Sequence, residues 1–458
     1  MSVPGALDSL PRRFTGWALS RYLAPAAVTG ISLALGVCAA VWFSAGTRPD
    51  GVSGALALCA SYLASRAAGR LADPAVGAVS RSASAGAGSL AELSGTASEL
   101  AVYAGLAVGG YEAHQDGTWQ LAVAATIVLA VRRTLVACSI SAPVGRHPLT
   151  RALRGVLACP PGGRIALIAV AAPIWGARIT LLALLEWGIV ATCYALAGRG
   201  PYRVVAAGAA DPEQAAVPAA TALSPPADGP GQTGSPPAMT DPAEPPSVLD
   251  GLISAGARPR EPKIKVVADP QVLATLVVCR DDGSVAVRLG QLVRGQFVPL
   301  PPAVAGLAAT CFLAWLGMRN LPGFLVLTPL VVMLLAAFGS THLHDGRLDW
   351  LTPAVLLAGQ LVYLATVGFS FRIPAPVTFG VCALTALRYV ELATRPPRPG
   401  WHPPDTRLGW EGRMLVAGLG PMFGIAIVGY LVLAAYLVAL VCREAAANYL
   451  AARDGPNQ

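Results

Sequence analysis

The sequence predicts an all-α, polytopic membrane protein, and composition and hydropathy both support that prediction. The 458 residues are 54% hydrophobic and only 13% charged, with a mean hydropathy of +0.57. Soluble domains carry about 25% charged residues. Apolar runs of about twenty residues, each long enough to span a bilayer, recur along nearly the whole chain. We therefore expect ten to twelve transmembrane helices in two six-helix halves.

The first half, residues 1–204, holds six apolar segments. The first is too long for the apolar region of a signal peptide and has no clear cleavage site, so it should remain as a helix. The fifth is short and contains Pro173. The predicted helices are 22–45, 54–69, 90–111, 119–138, 164–175 and 178–197.

The composition changes twice between the halves. Residues 205–262 are rich in Pro, Ala, Gly, Ser and Thr, and such a segment cannot bury enough apolar surface to fold. We expect a disordered cytoplasmic linker there. Residues 263–298 form a small cytoplasmic or interfacial segment, with a turn-like Arg280-Asp281-Asp282-Gly283 and a basic amphipathic stretch at 290–297.

The second half, residues 299–458, resembles a degenerate copy of the first. Its predicted helices are 300–316, 323–341, 350–369, 374–392, 414–423 and 424–442. Short matches occur in the same order on corresponding helices, and parallel repeats are a known way to build membrane proteins. Helices rich in Ala and Gly also produce chance matches, so both interpretations, a tandem repeat and a chance similarity, stay open. The matches are Pro25-Ala26-Ala27-Val28 with Pro301-Pro302-Ala303-Val304, Ala68-Gly69-Arg70-Leu71 with Asp345-Gly346-Arg347-Leu348, and Gly163-Arg164-Ile165 with Gly412-Arg413-Met414.

The formal charge of +8 indicates topology rather than nucleic-acid binding. Basic residues cluster in alternate loops, and the positive-inside rule places both termini and those loops in the cytoplasm. We expect a multi-pass protein of the cell (plasma) membrane. The nine cysteines are scattered, mostly within apolar runs and without C-x-x-C spacing, as expected of small packing residues.

A helix–loop–helix in the first half carries the one recognisable signature. Ala68-Gly69-Arg70-Leu71-Ala72-Asp73 ends the second predicted helix, and Leu90-Ala91-Glu92-Leu93-Ser94-Gly95 opens the third. Together they resemble the signature of the CDP-alcohol phosphatidyltransferases, Asp-Gly-x-x-Ala-Arg followed by Gly-x-x-x-Asp-x-x-x-Asp. The resemblance covers about residues 12–199. The second half resembles an uncharacterised domain of actinobacterial membrane proteins.

The resemblance implies a divalent-metal site from which the acids have been lost. In that family, four aspartates of the second and third helices bind the metal and the CDP pyrophosphate, because hard cations prefer carboxylate oxygens. Here the register puts Ala68, Ala91 and Gly95 at acid positions. Of the motif, the sequence retains only Gly69 and Ala72, and Asp73 stands where the family has Arg. We predict no metal and no cofactor at this place.

The second half keeps one acid of the pattern. Asp345 precedes Gly346, and Asp349 follows Leu348 as in a third-helix Leu-Asp motif. These two aspartates are weak candidates for a relocated catalytic site, which would need Mg or Mn. A zinc site with the nearby histidines and a plain polar turn are the other interpretations.

Ionisable groups inside predicted helices are a further set of candidates. Glu92 and Glu99 lie on the third helix, and Glu99 is expected to have a structural role. Glu186, in the middle of the sixth, either lines a cavity, contacts a partner helix or pairs with an arginine such as Arg178. Arg388 and Glu391 are expected to extend to the membrane surface.

These observations predict a non-catalytic protein similar to the phosphatidyltransferases. It would bind a phospholipid, a CDP-lipid or a partner, for example an active enzyme of the same family, in phospholipid or cell-envelope metabolism. The alternatives are an active CDP-alcohol phosphotransferase using Asp345 and Asp349, and a transporter using Glu186. A tandem of two six-helix units would also be a single-chain pseudodimer, because the resembled enzymes are homodimers.

Overall fold

The computed structural model describes most of both halves and little of the segment between them. The described residues are 25–71, 81–141, 159–197, 199–200, 202–205, 265–268, 275–276, 278–292, 298–319, 323–337, 339, 348–394 and 408–453. The predicted linker, 205–262, lies outside them except for Val205. Ala72, Asp73 and Asp345 also lie outside.

Helices make up nearly all of the described chain, and the twelve predicted apolar helices are all present. Most bounds lie within a few residues of the expected ones, but the second and third helices begin six and nine residues earlier than expected, and the last ends eleven residues later. In the first half they are α1 (Pro25–Ser44), α2 (Arg48–Leu71), α3 (Arg81–Glu112), α4 (Thr118–Ala137), α5 (Pro161–Trp175) and α6 (Ala177–Ala197). A short helix, α7 (Ser284–Leu292), precedes the second half. The second half contains α8 (Leu300–Met318), α9 (Gly323–Ala337), α10 (Thr352–Ser370), α11 (Ala375–Thr394), α12 (Trp410–Met422) and α13 (Ala426–Arg453).

Seven helices of the described chain are long and apolar enough to cross a membrane, namely α1, α4, α6, α8, α10, α11 and α13. This supports the multi-pass membrane class. The count is lower than the expected ten to twelve because α5, α9 and α12 have only 15, 15 and 13 residues. In addition, α2 and α3 carry several charged side chains along their length.

Two short antiparallel strand pairs accompany the helices. Strands β1 (Ile140–Ser141) and β2 (Arg199–Gly200) pair just after α4 and α6. Strands β3 (Tyr202–Val205) and β4 (Lys265–Ala268) form a separate compact unit. Their register pairs Val205 with Lys265, so the two ends of the intervening segment lie side by side on adjacent strands.

The helices of each half pack in the same pattern. In the first half α1 contacts α2 and α3, α2 contacts α5, α5 contacts α6, and α4 contacts α3 and α6. In the second half α8 contacts α9 and α10, α9 contacts α12, α12 contacts α13, and α11 contacts α10 and α13. These six contacts therefore join corresponding helices in the two halves, while α3 also contacts α6 in the first half and α10 also contacts α12 in the second.

The two halves meet chiefly through their fourth helices. Helix α4 lies against α11, and each also touches the third helix of the other half. At their first turns, the Trp119 and Phe379 rings meet edge to face, with centroids 5.8 Å apart. At their last turns, Leu135, Cys138 and Leu392 share one buried cluster. Helices α4 and α11 therefore run parallel to each other at this contact.

Backbone geometry repeats at the turns between helices. His114, after α3, and Arg372, after α10, both have positive φ, 55° and 53°. Each turn is closed by two matching hydrogen bonds, His114 N–H to Tyr111 and Arg372 N–H to Phe369, followed by Gln115 N–H to Gly110 and Ile373 N–H to Gly368. Glycines with positive φ, Gly176 (83°) and Gly424 (70°), likewise separate the fifth and sixth helices of each half.

Helices α1 and α3 approach too closely for a side chain at one position. A Cβ built on Gly105 would lie 2.2 Å from the carbonyl oxygen of Ala40 and 2.8 Å from its Cα. Both atoms belong to the backbone and cannot rotate away. Small residues at such crossings allow membrane helices to gain van der Waals contact.

We predict that Gly105→Ala lowers the free energy of unfolding by about 1–3 kcal/mol, because α1 and α3 must move apart. The measurement is reversible unfolding of the full chain in bicelles. Gly30→Ala is the matched control on α1, since a Cβ there meets nothing within 4 Å. It should be neutral or stabilising by up to about 1 kcal/mol. Equal losses in the two variants would contradict the close approach.

Candidate functional site

The motif helices meet at the end of the first half where α2 ends and α3 begins. Ala68 and Ala91, which stand at acid positions of the resembled motif, are 1% and 6% exposed. They share a small buried apolar cluster whose members are Val28, Ala64, Ala68, Leu71 and Ala91. The two positions therefore come together, and methyl groups fill the space between them.

The other motif positions extend the same contact. A Cβ added to Gly95 would meet the Ser65 hydroxyl at 3.4 Å, which places α3 against α2 at this point. Gly69, by contrast, has open space where its side chain would be. Ala72 and Asp73 lie outside the described residues.

The nearest buried carboxylate is Glu99 on α3, and it is held by an arginine. Arg164, on the first turn of α5, donates from Nε to Oε1 (2.5 Å) and from Nη2 to Oε2 (2.9 Å). The Tyr103 hydroxyl donates to Oε1 at 2.9 Å. The Arg164 guanidinium also donates from Nη1 to the carbonyl of Cys159 (3.0 Å). A two-pronged Arg–carboxylate pair is both strong and geometrically specific.

A second arginine completes this charge cluster. Arg133 on α4 forms an ion pair with Glu92, and its Nη2 lies 3.6 Å from Oε2 of Glu99. Glu92 is half exposed, whereas Glu99 is buried. Among the described residues, the two carboxylates near the motif, Glu92 and Glu99, are thus each paired with a guanidinium group. The structural role expected for Glu99 agrees with this geometry.

A larger charge cluster occupies the corresponding end of the second half. Arg413, on the first turn of α12, is fully buried. It donates from Nη1 to Asp281 Oδ2 (2.6 Å) and to the Leu408 carbonyl (3.2 Å), and from Nη2 to the Gln360 side-chain carbonyl (3.2 Å). Asp281 belongs to the turn-like segment predicted before α7. That segment is therefore part of the helix bundle.

The expectation that Arg388 and Glu391 extend to the membrane surface is wrong. Their side chains are 0% and 1% exposed, and they form an ion pair with each other on α11. Arg388 Nη2 also lies 3.7 Å from Asp281 Oδ1. The reason is that Asp281, more than a hundred residues away in sequence, supplies a counter-charge within the bundle.

Neighbouring residues fix the rest of the turn. Arg280 pairs with Asp282 (2.5 Å) and donates from Nη1 to the Gly339 carbonyl (2.7 Å). The Trp410 indole donates to Asp282 Oδ1 at 2.8 Å. Burial raises the pKa of Asp282, while the guanidinium of Arg280 acts in the opposite direction. These contacts attach the turn to α9 and α12.

The first turn of α7 is capped by a side chain that is distant in sequence. The carboxylate of Glu411 accepts hydrogen bonds from the backbone N–H groups of Gly283 (3.1 Å) and Ala286 (3.2 Å). Such N–H groups have no partner within their own helix, and a carboxylate there also interacts favourably with the helix dipole. Helix α7 begins at Ser284, six residues before the amphipathic stretch expected at 290–297. Residues 293–297 lie outside the described chain.

The two clusters share one arrangement. Arg164 and Arg413 stand at the fourth position of the fifth helix in each half. Each donates to the carbonyl five residues before it and to a carboxylate, and each reaches the third helix of its own half, at Glu99 and Gln360. These arginines are the residues of the Gly-Arg match between the halves. The Gly-Arg match is visible in the sequence, but the groups that the arginines bind are not.

The structure describes two of the remaining candidate residues, Asp349 and Glu186. Asp349 is buried at the first position of a 3₁₀ turn, Asp349–Leu351, that leads into α10. Asp345 lies outside the described residues. Glu186 is exposed on the outward face of α6, and no ion pair among the described residues includes it. Arg178 is eight residues away on the same helix, about 12 Å along its axis, beyond the reach of a glutamate.

Within the described part of the chain, no three His, Cys, Asp or Glu side chains are grouped so as to hold a metal ion. Carboxylates close to the motif face guanidinium groups at hydrogen-bonding distance. What the arrangement can do chemically is hold helices in register and present basic side chains at one end of the bundle.

We predict that Glu99→Gln lowers the free energy of unfolding by about 3–5 kcal/mol, because it leaves the buried Arg164 without a counter-charge. The control is Glu92→Gln, which removes an ion pair whose carboxylate is half exposed. The control should cost at most about 1 kcal/mol. The check is equilibrium unfolding in bicelles, and a Glu99 variant as stable as the Glu92 variant would contradict the geometry.

We predict a similar loss for Arg413→Gln, about 3–5 kcal/mol, since Asp281 then loses its closest guanidinium. Arg443→Gln serves as control, because Arg443 is 62% exposed and pairs with Glu444 near the end of α13. That variant should stay within about 0.5 kcal/mol of the wild type. Protease resistance of the 278–292 segment gives an independent measurement, and it should fall only in the Arg413 variant.

Comparison with protein-family models, with curated proteins and with solved structures finds no match to this chain.

Proposed function

We propose that this chain is a catalytically inactive membrane protein similar to the CDP-alcohol phosphatidyltransferases. It binds a phospholipid, a CDP-lipid or a partner protein in phospholipid or cell-envelope metabolism. It lies in the cell membrane with ten to twelve membrane-embedded helices. Both termini and the arginine-rich loops face the cytoplasm, in keeping with the positive-inside rule.

One observation carries the proposal. Ala68 and Ala91, at positions where the resembled motif has aspartates, pack in a closed apolar cluster with Val28. A divalent cation needs several oxygen ligands at about 2.0–2.6 Å, and alanine side chains supply none. The helices keep the close contact of the motif without its ligands.

The charge balance supports the same proposal. Glu99 is satisfied by Arg164 and Tyr103, and Glu92 by Arg133. For either carboxylate to bind a cation, an arginine would have to leave its partner and remain partly buried without one, which is costly. The basic side chains at this end of the bundle suit an anionic lipid headgroup better than a metal.

The repeated packing pattern supports a single-chain pseudodimer. Six helices follow the same order of contacts in each half, and the halves meet through equivalent helices, α4 and α11. Homodimeric enzymes of the resembled family have two identical units. In a single chain the two units have separate sequences and can diverge from each other. The second unit can then act as the packing partner of the first. An active enzyme of the same family remains the proposed protein partner.

Two alternatives stay open as proposals. An active phosphotransferase would use Asp345 and Asp349 with Mg or Mn, and the burial of Asp349 beside the start of α10 is compatible with an ordered role. A transporter would use Glu186. The outward position of Glu186 on α6 favours a surface contact over a cavity.

The test is a turnover assay on the full chain reconstituted in liposomes with CDP-diacylglycerol, Mg²⁺ or Mn²⁺, and inositol phosphate or glycerol phosphate. We expect CMP release at the level of protein-free liposomes. Metal-dependent release that is abolished by Asp345→Asn but not by Asp50→Asn would overturn the proposal in favour of the active enzyme. Asp50 is a suitable control because it lies in the first turn of α2, at the opposite end from the motif, where its backbone N–H donates to the Thr47 hydroxyl.

A binding measurement tests the positive part of the proposal. CDP-diacylglycerol or an anionic phospholipid should raise the unfolding temperature of the protein in neutral detergent, whereas phosphatidylcholine should not. A ligand at a hundred times its dissociation constant adds about 2.7 kcal/mol. If no lipid gives a shift, the lipid-binding role is wrong and the partner-protein role remains to be measured by co-purification with an active phosphatidyltransferase.

A further inference from the structure

The outward face of α6 contains a glutamate that has no role in the fold or in the proposed function. Glu186 is the tenth of 21 residues in α6, so it lies near the middle of a helix long and apolar enough to span the membrane. It is exposed, and the next residue, Trp187, turns inward against Gly163. No other acidic or basic residue occurs between Ile179 and Ala197.

An isolated carboxyl group at this depth requires a partner. The face around Glu186 is apolar, with Leu182, Ile189 and Val190 exposed by 36%, 48% and 48%. Hydrocarbon offers no hydrogen bond, and ionisable side chains within membranes almost always face protein or water. The two ends of α6 are about 14 and 17 Å away along the helix axis. A glutamate side chain is too short to reach either end.

We propose that a second copy of this chain docks on the α6 face, with the two Glu186 carboxyl groups hydrogen-bonded across a two-fold axis along the membrane normal. A protonated carboxyl group has one donor and one acceptor oxygen, so two of them satisfy each other. Every copy inserts in the same orientation. A second copy is therefore a partner whose Glu186 has the matching depth. Polar side chains drive helix association in membranes in this way.

The repeat explains why such an association would stop at two copies. Counting from the glycines Gly176 and Gly424 aligns Glu186 with Ala434 or Ala435 on α13. The second half thus lacks the carboxyl group at the equivalent position. A contact built from one patch on each copy is isologous and closes on itself, whereas two such patches per chain would allow filaments. The inference does not depend on the proposed function.

The experiment measures oligomeric state for the full chain in phosphatidylcholine nanodiscs or liposomes, by subunit counting with single-molecule photobleaching. We expect a dimer for the wild type. Glu186→Gln retains a donor and an acceptor and should remain dimeric. Glu186→Leu should raise the dimer dissociation constant about tenfold. Glu112→Gln, which removes an exposed carboxylate from the end of α3, is the control and should behave as wild type.

Cysteine cross-linking locates the interface independently. Cys193 is exposed on α6, about 10 Å along the axis from Glu186. A chain that keeps Cys193 but has the other exposed cysteines changed to alanine should cross-link to itself with a short bifunctional reagent. A chain that keeps only Cys311 on α8 among the exposed cysteines should not. The other exposed cysteines are Cys38, Cys59, Cys311 and Cys442.

Three results would overturn the proposal. They are a monomeric wild type, a dimer that Glu186→Leu leaves unchanged, and cross-linking at Cys311 as strong as at Cys193. Because Glu186 is exposed, its replacement should leave the unfolding temperature within about 2 °C of the wild type. Should Glu186→Leu fold poorly, the wild-type stoichiometry and the Cys193 cross-link decide the question without it.

Discussion

The structure depends above all on a buried guanidinium at the start of the fifth helix of each half. Arg164 and Arg413 each link three elements of the bundle: the chain before the fifth helix, that helix itself and the third helix. Placing a charge inside a membrane protein is costly unless several acceptors surround it. When several acceptors surround the guanidinium, loss of any one of them leaves its charge uncompensated. All of the acceptors together therefore fix its position.

The two kinds of position differ in what they require. Ala68 and Ala91, where α2 ends and α3 begins, contribute close packing, and methyl groups meet that need. Arg164 and Arg413 depend on charge pairs, so replacing one member of a pair leaves a buried charge uncompensated.

The sequence predicted which segments form helices, but it did not predict which face of each helix is buried. Apolar runs located all twelve bundle helices, because length and hydropathy are local properties. The burial of Arg388 was missed because its neighbour Asp281 comes from a distant turn. The outward orientation of Glu186 was equally out of reach, since α6 is apolar on every side and its sequence has no amphipathic period from which to assign a face. In the motif, the family resemblance predicted that Ala68 and Ala91 lie close together, but it gave no indication that Val28, which comes from α1, packs with them.

The pairing of β3 with β4 has a consequence for the region between the halves. Val205 and Lys265 are partners on adjacent strands, so residues 206–264 begin and end at neighbouring positions. Closing a longer loop between ends already fixed together costs only about 0.6 kcal/mol for each doubling of its length. The number of residues in this region is therefore nearly independent of the bundle. Additional sequence, including a whole folded domain, can enter there while α6 and α7 keep their places.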